Sequence, residues 1–176
     1  MKTVKCVTRI MLLFIFGICF YSCIGPIPVD VVMIDDELFF VLEEEHEISS
    51  LRVIASIDRK KMGTGEYIKP MWALSQDLTT DVKKRKYPRL KQIKYGQKLE
   101  EFPLVEGPVP LQRNVEYSVG INMGNKFARE VFIITSDNKV MMPKPGFERQ
   151  KNRTYSVSVD KNGNKTLILE PVLPQR

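Results

Sequence analysis

Cysteine is scarce in this 176-residue chain: there are three, Cys6, Cys19 and Cys23, and none follows Cys23. The body of the protein therefore cannot hold an internal disulfide, and its stability has to come from a packed core. Histidine is nearly absent as well. The single one, His46, sits in Glu43-Glu44-Glu45-His46-Glu47, and neighbours on an extended chain point to opposite faces, so this stretch reads as a solvated turn rather than a convergent metal site. The sequence also lacks Gly-x-Ser-x-Gly, a phosphate-cradling glycine loop and His-Glu-x-x-His, which removes the usual signatures of hydrolases, nucleotide-binding folds and zinc proteases. Internal repeats, heptads and low-complexity tracts are missing, and few segments have helical periodicity. The expectation is an all-β protein that is not an enzyme and uses no cofactor or metal.

What the chain does have is an apolar run from Ile10 to Cys23 behind the cationic head Lys2, Lys5 and Arg9. The run is too short to span a bilayer comfortably and has the profile of a secretory signal. Pro26 and Pro28 follow closely and favour an extended tether. Net charge is +6 for the whole chain, but the head carries three of those charges; without it, 24 Lys and Arg stand against 21 Asp and Glu, about +3. That bias is too weak to argue for nucleic acid.

Phe20-Tyr21-Ser22-Cys23 resembles a bacterial lipobox, with Phe20 and Tyr21 standing where leucine and a small or aliphatic residue are commoner. The resemblance implies that Cys23 is diacylated and becomes the new amino terminus; ordinary cleavage and retention as an uncleaved anchor remain the alternatives. A lone surviving thiol at that position suits acylation better than exposure. Ile24, where sorted inner-membrane lipoproteins carry aspartate, implies the periplasmic side of the outer membrane. The expected division is a signal over 1–22, a lipidated tether over 23–28, a β-sandwich domain over 29–142 and a C-terminal hairpin extension over 143–176.

Beyond Val29 the apolar pattern has period two. Val29 to Ile34 and Glu37 to Leu42 read as strands around a tight turn at Asp35-Asp36, and this turn is a better reading than a calcium loop. Further strands are expected over Leu51 to Ile57, Ile68 to Leu74, Leu90 to Tyr95, Val115 to Met123, Glu130 to Thr135 and Val140 to Met142, with a short edge strand over Leu99 to Phe102. Asn162-Gly163 between Arg153 to Val159 and Lys165 to Glu170 predicts a terminal hairpin.

Leu111, six residues before Tyr117 at the head of an alternating strand, resembles the tyrosine corner of immunoglobulin and fibronectin type III domains. The resemblance implies that fold, with the Tyr117 hydroxyl bonded back to the preceding loop. The layout of Val29 to Val41, Ile93 to Gly96 and Leu111 to Val140 also resembles small bacterial periplasmic lipoproteins, some thought to be immunity proteins against toxins delivered by type VI secretion. What that implies is a lipid-anchored module that binds a protein partner, an incoming toxin in the first instance; an accessory lipoprotein of an envelope or secretion machine is the second reading. The basic run Lys83, Lys84, Arg85 and Lys86 is either a hydrated loop or the dock for an acidic surface or anionic headgroups.

Overall fold

A computed structural model describes residues 26–59, 65–143 and 154–170. Its strands are β1 (Val29–Ile34), β2 (Glu37–Glu47), β3 (Ser50–Ala55), β4 (Trp72–Ser75), β5 (Arg89–Lys94), β6 (Leu104–Glu106), β7 (Glu116–Met123), β8 (Lys126–Ile134), β9 (Val140–Met141), β10 (Tyr155–Val159) and β11 (Lys165–Leu169). A short helix, α1 (Ser56–Arg59), follows β3.

Pairing is antiparallel throughout these strands. β1-β2-β5 form a three-stranded sheet and β6-β4-β3-β7-β8-β9 a six-stranded one. Alternation along each strand sends one row of side chains inward, and the inward rows of both sheets merge into one core: Val29, Phe40 and Ile93 from the small sheet meet Val53, Trp72, Val119 and Phe132 from the large one. Phe40 is the joint. Its ring lies 6.4 Å from Trp72 and 5.9 Å from Phe132, so one side chain touches two strands of the opposite sheet. Each such fully buried apolar side chain contributes about 1.5 to 3 kcal/mol, and this is what holds the fold together without disulfides. The architecture is all-β and sandwich-like.

The chain enters beside the large sheet, where the Ile27 N–H donates to the Phe127 carbonyl at 2.8 Å, and crosses into the small sheet at Pro28. Asp35 and Asp36 then turn with φ of 49° and 62°, the left-handed pair that suits a two-residue hairpin loop.

Several boundaries differ from the sequence expectation. The charged stretch Glu43 to Glu47 is not a corner: β2 runs through it, with His46 opposite Leu90 and Glu47 opposite Arg89 after an irregularity in register. Backbone pairing needs no apolar side chains, and the polar residues occupy solvated positions beyond the core. Leu99 to Phe102 is a turn, closed by Phe102 N–H to the Leu99 carbonyl at 3.0 Å, with Phe102 buried in the core. The strand lies just downstream as β6, framed by Pro103 and Pro108. Its three residues are all exposed, so they carry no alternation to read. β3 ends at Ala55, where α1 leaves Ile57 exposed, and β4 starts only at Trp72, after Pro70. β8 begins at Lys126 because Gly124, at φ 66°, turns the chain within two residues of Met123.

Among the described strands β10 and β11 pair only with each other, and Gly163 turns between them at φ 80°. The hairpin lies on the outer face of the small sheet, where Leu167 packs against Phe39 and Val41, with Val32, Ile34 and Tyr155 around them. Among the described residues, the small sheet is thus covered on both faces and the large sheet on one.

Candidate functional site

Cys23 lies outside the described residues. The basic run lies between β4 and β5, far along the chain from Leu111 and Tyr117, which precede and open β7. Val82–Lys84 form a turn of 3₁₀ helix capped by Asp81, whose side chain accepts from the Lys83 N–H at 3.0 Å. Arg85 folds inward: its guanidinium donates to the carbonyls of Leu78 at 2.8 Å and Thr80 at 3.0 Å. Lys83, Lys84 and Lys86 remain exposed. The run therefore divides into one arginine that holds the loop's shape and three lysines that face solvent.

Tyr117 is buried and its ring packs 5.7 Å from Phe132. Its hydroxyl accepts from the Gln112 N–H at 2.7 Å and lies 3.4 Å from the Gln112 carbonyl. Leu111 packs at the margin of the same core. A second phenol does similar work nearby: the Tyr95 hydroxyl donates to the Val109 carbonyl at 2.8 Å and reaches the Met71 carbonyl at 3.2 Å, and burial pushes its pKa upward. Both tyrosines fasten loops to the core.

Among the described residues no group of His, Cys, Asp or Glu side chains converges as a metal site. A shallow trough of about 440 Å³, built from residues of several strands, lies instead on the outer face of the large sheet. Strand register explains its shape. Glu106, Ala73, Arg52, Gly120 and Arg129 stand in one row across β6, β4, β3, β7 and β8. The adjacent row is Leu104, Ser75, Ser50, Asn122 and Phe127. Small residues floor the middle, while Leu104 and Phe127, 50% and 43% exposed, stand as apolar shoulders at either end.

The polar groups here are ordered. Asn122 Nδ2 donates to Ser50 Oγ at 2.8 Å, and the Arg129 Nε–H points toward Ser118 Oγ at 3.4 Å. The Tyr67 hydroxyl donates to Glu106, and that carboxylate holds the phenol above its ordinary pKa. Nothing in this row is arranged as a nucleophile and base. It can bind, by guanidinium hydrogen bonds flanked by apolar contact.

The strand edges are poor docking sites by comparison. β6 has three residues between prolines, β9 has two and is soon followed by Pro143, and β5 carries Arg89, Lys91 and Lys94. Short strands, prolines and charges are the devices that stop a sheet from adding a foreign strand. Alternation along β3 and β7 sets Arg52 and Gly120 on outward faces but does not connect them in the sequence, because which residues share a row depends on register between strands far apart in the chain.

The chain matches no protein-family model, and comparison with characterised proteins and with solved structures finds no match.

Proposed function

We propose that this protein is a lipid-anchored binding module of the bacterial envelope, attached through Cys23 to the periplasmic face of the outer membrane, and that it neutralises a protein toxin of the kind delivered by type VI secretion. The observation that carries the binding role is the outer face of the six-stranded sheet, which the described residues leave uncovered, a surface with arginines and apolar shoulders, bounded by edges that resist strand addition. The mechanism is occlusion, with affinity from a few desolvated anchors and the lysines of the 83–86 loop raising the rate of encounter with an acidic surface.

The finer fold assignment belongs to the same proposal. Small-sheet order β1-β2-β5 opposite β4-β3-β7-β8, with Tyr117 on β7 bonded to the preceding loop, is the arrangement expected of a fibronectin type III-like sandwich. Five residues, 24–28, separate Cys23 from β1, a reach of roughly 15 to 20 Å. An acylated Cys23 would thus keep the sandwich close to the bilayer.

The test has two arms. Mass spectrometry of the mature amino terminus should find a diacylated Cys23, and Cys23→Ala should lose membrane fractionation; an unmodified chain starting elsewhere refutes the anchor. In the second arm, the product of the neighbouring open reading frame is sent to the periplasm of a test bacterium. Growth arrest relieved by co-expression of this chain supports immunity, and arrest that persists overturns it.

A further inference from the structure

Gly120 stands in the interior of β7, paired on one side with Arg52 and on the other with Arg129. Neither conformation nor crowding asks for glycine there. Its backbone is extended with no positive φ, and a Cβ added to it would meet nothing within 4 Å. Glycine weakens a strand interior, and where it persists the reason is often close approach by a ligand or another backbone. Here its effect is a bare patch of backbone between two guanidinium groups rooted roughly 10 Å apart, two strand spacings. On the far side of Arg52 the neighbour is Ala73, again small, and the one carboxylate in the row, Glu106, lies beyond it engaged by the Tyr67 hydroxyl.

Resting on the binding-module reading, we infer that this row is the seat of an acidic segment of the partner protein: an extended chain that lays a glutamate or aspartate over Gly120, against Arg52, with apolar neighbours against Phe127 and Leu104. Arginine matches a carboxylate with two parallel hydrogen bonds, and a flat floor lets that carboxylate approach the Arg52 guanidinium. The lining contains two arginines and no lysine, in a chain with lysines elsewhere on its surface. That is the composition of a protein interface rather than of a surface for anionic lipid.

The probe is an acetylated octapeptide with one central glutamate flanked by leucines, titrated into the full-length chain beside its glutamine twin, with the Gly120 amide followed by NMR. The glutamate peptide should bind saturably and more weakly at high salt, and at least tenfold more tightly than its twin. Arg52→Gln and Gly120→Val should each cost at least tenfold. Both positions face solvent, and a wild-type circular dichroism spectrum checks folding; should Gly120→Val fail it, Arg52→Gln alone decides. Lys98→Gln, at an exposed position outside the row, should leave peptide affinity unchanged. Equal binding of the two peptides, no binding, or a dimer that Gly120→Val dissociates overturns the acidic occupant, the last assigning the face to a second copy of the chain. Loss of growth protection in Gly120→Val without any peptide preference would sink this inference and leave the binding module standing, whereas failure of the wild-type chain to protect would sink the module itself.

Discussion

The side-chain amide of Gln92 meets the backbone of Leu167 as a neighbouring strand would: its Oε1 accepts from the Leu167 N–H at 2.7 Å while its Nε2 donates to the Lys165 carbonyl at 2.6 Å. One side chain thus replaces a ladder between β5 and β11, which belong to different sheets. Around this link, Lys165 Nζ lies 3.0 Å from Asp35 and 3.1 Å from Glu37, and the Tyr155 hydroxyl donates to Asp30. The hairpin is held by a polar frame around the small apolar patch formed by Phe39, Val41 and Leu167.

Gln92→Leu removes both bonds and leaves the partly buried Leu167 N–H without its acceptor. Hairpin docking should weaken by about 1 to 3 kcal/mol. Hydrogen exchange at Leu167 should accelerate at least tenfold, while amides of β3 and β7 keep their protection; equal acceleration everywhere would mean that the hairpin is part of one global unit.

Acid should loosen the same contact. Hydrogen bonds from Lys165 first and Lys94 second hold the Glu37 carboxylate below its ordinary pKa of 4.5. A depressed folded-state value means that the stabilisation is present above the unfolded value and is lost as pH falls through the folded one. The Leu167 amide resonance should therefore shift as pH drops below about 4.5, more weakly at high salt because the pair is part exposed. Lys165→Met should reduce that titration, and an unchanged titration would assign it to another carboxylate.

How much of this was legible varies by residue. Apolar alternation and the turn signals beside it placed β1, β7 and the terminal hairpin to within two residues at each end. Leu38-Phe39-Phe40-Val41-Leu42 carried a further message: a continuous apolar run marks a strand buried on both faces. All five are buried, Phe40 and Leu42 in the main core and Phe39 and Val41 under the hairpin. The third layer was therefore foreshadowed in β2. The trough was not, since Arg52, Gly120 and Arg129 become neighbours only through strand pairing. Nor could Arg85 be separated from its lysine neighbours, because the carbonyls it binds are backbone atoms with no mark in the sequence.

Glycine positions should divide sharply on substitution. At Gly107, φ is 79° and a Cβ would lie 2.2 Å from the Met71 carbonyl oxygen; at Gly124, φ is 66° and a Cβ would meet nothing within 4 Å. Gly124→Ala should cost about 1 to 2 kcal/mol for the left-handed backbone alone. Gly107→Ala carries that cost and must also displace backbone, so its melting temperature should fall clearly further. Equal losses would show that the 107–109 segment yields easily.

Within the basic run, Arg85→Ala should expose the Leu78–Thr80 segment to protease, because the carbonyls of both residues lose their donor. Lys83→Glu, Lys84→Glu and Lys86→Glu should each stay within about 0.5 kcal/mol of the parent in denaturant unfolding, as exposed substitutions do. A test of partner binding by charge reversal is interpretable only if it spares Arg85. Protease resistance retained in Arg85→Ala would mean that the 3₁₀ turn and its Asp81 cap suffice.

Tyr117→Phe keeps the ring and its packing on Phe132 but deletes the acceptor of the Gln112 N–H. The amide is partly buried, so its unmet hydrogen bond should lower stability by about 1 to 3 kcal/mol, read as a lower denaturant midpoint at unchanged slope. Tyr95→Phe provides the contrast. The Val109 carbonyl that the Tyr95 hydroxyl donates to is exposed and open to water, and the Met71 carbonyl also accepts the Val109 N–H at 2.8 Å, so neither is stranded when the phenol is lost. The Tyr95 variant should lose less, about 0.5 to 1.5 kcal/mol. If the two losses are equal, the Gln112 N–H has found water, and the fastening of β7 to its loop comes from the packing of Leu111 and the ring rather than from the hydroxyl.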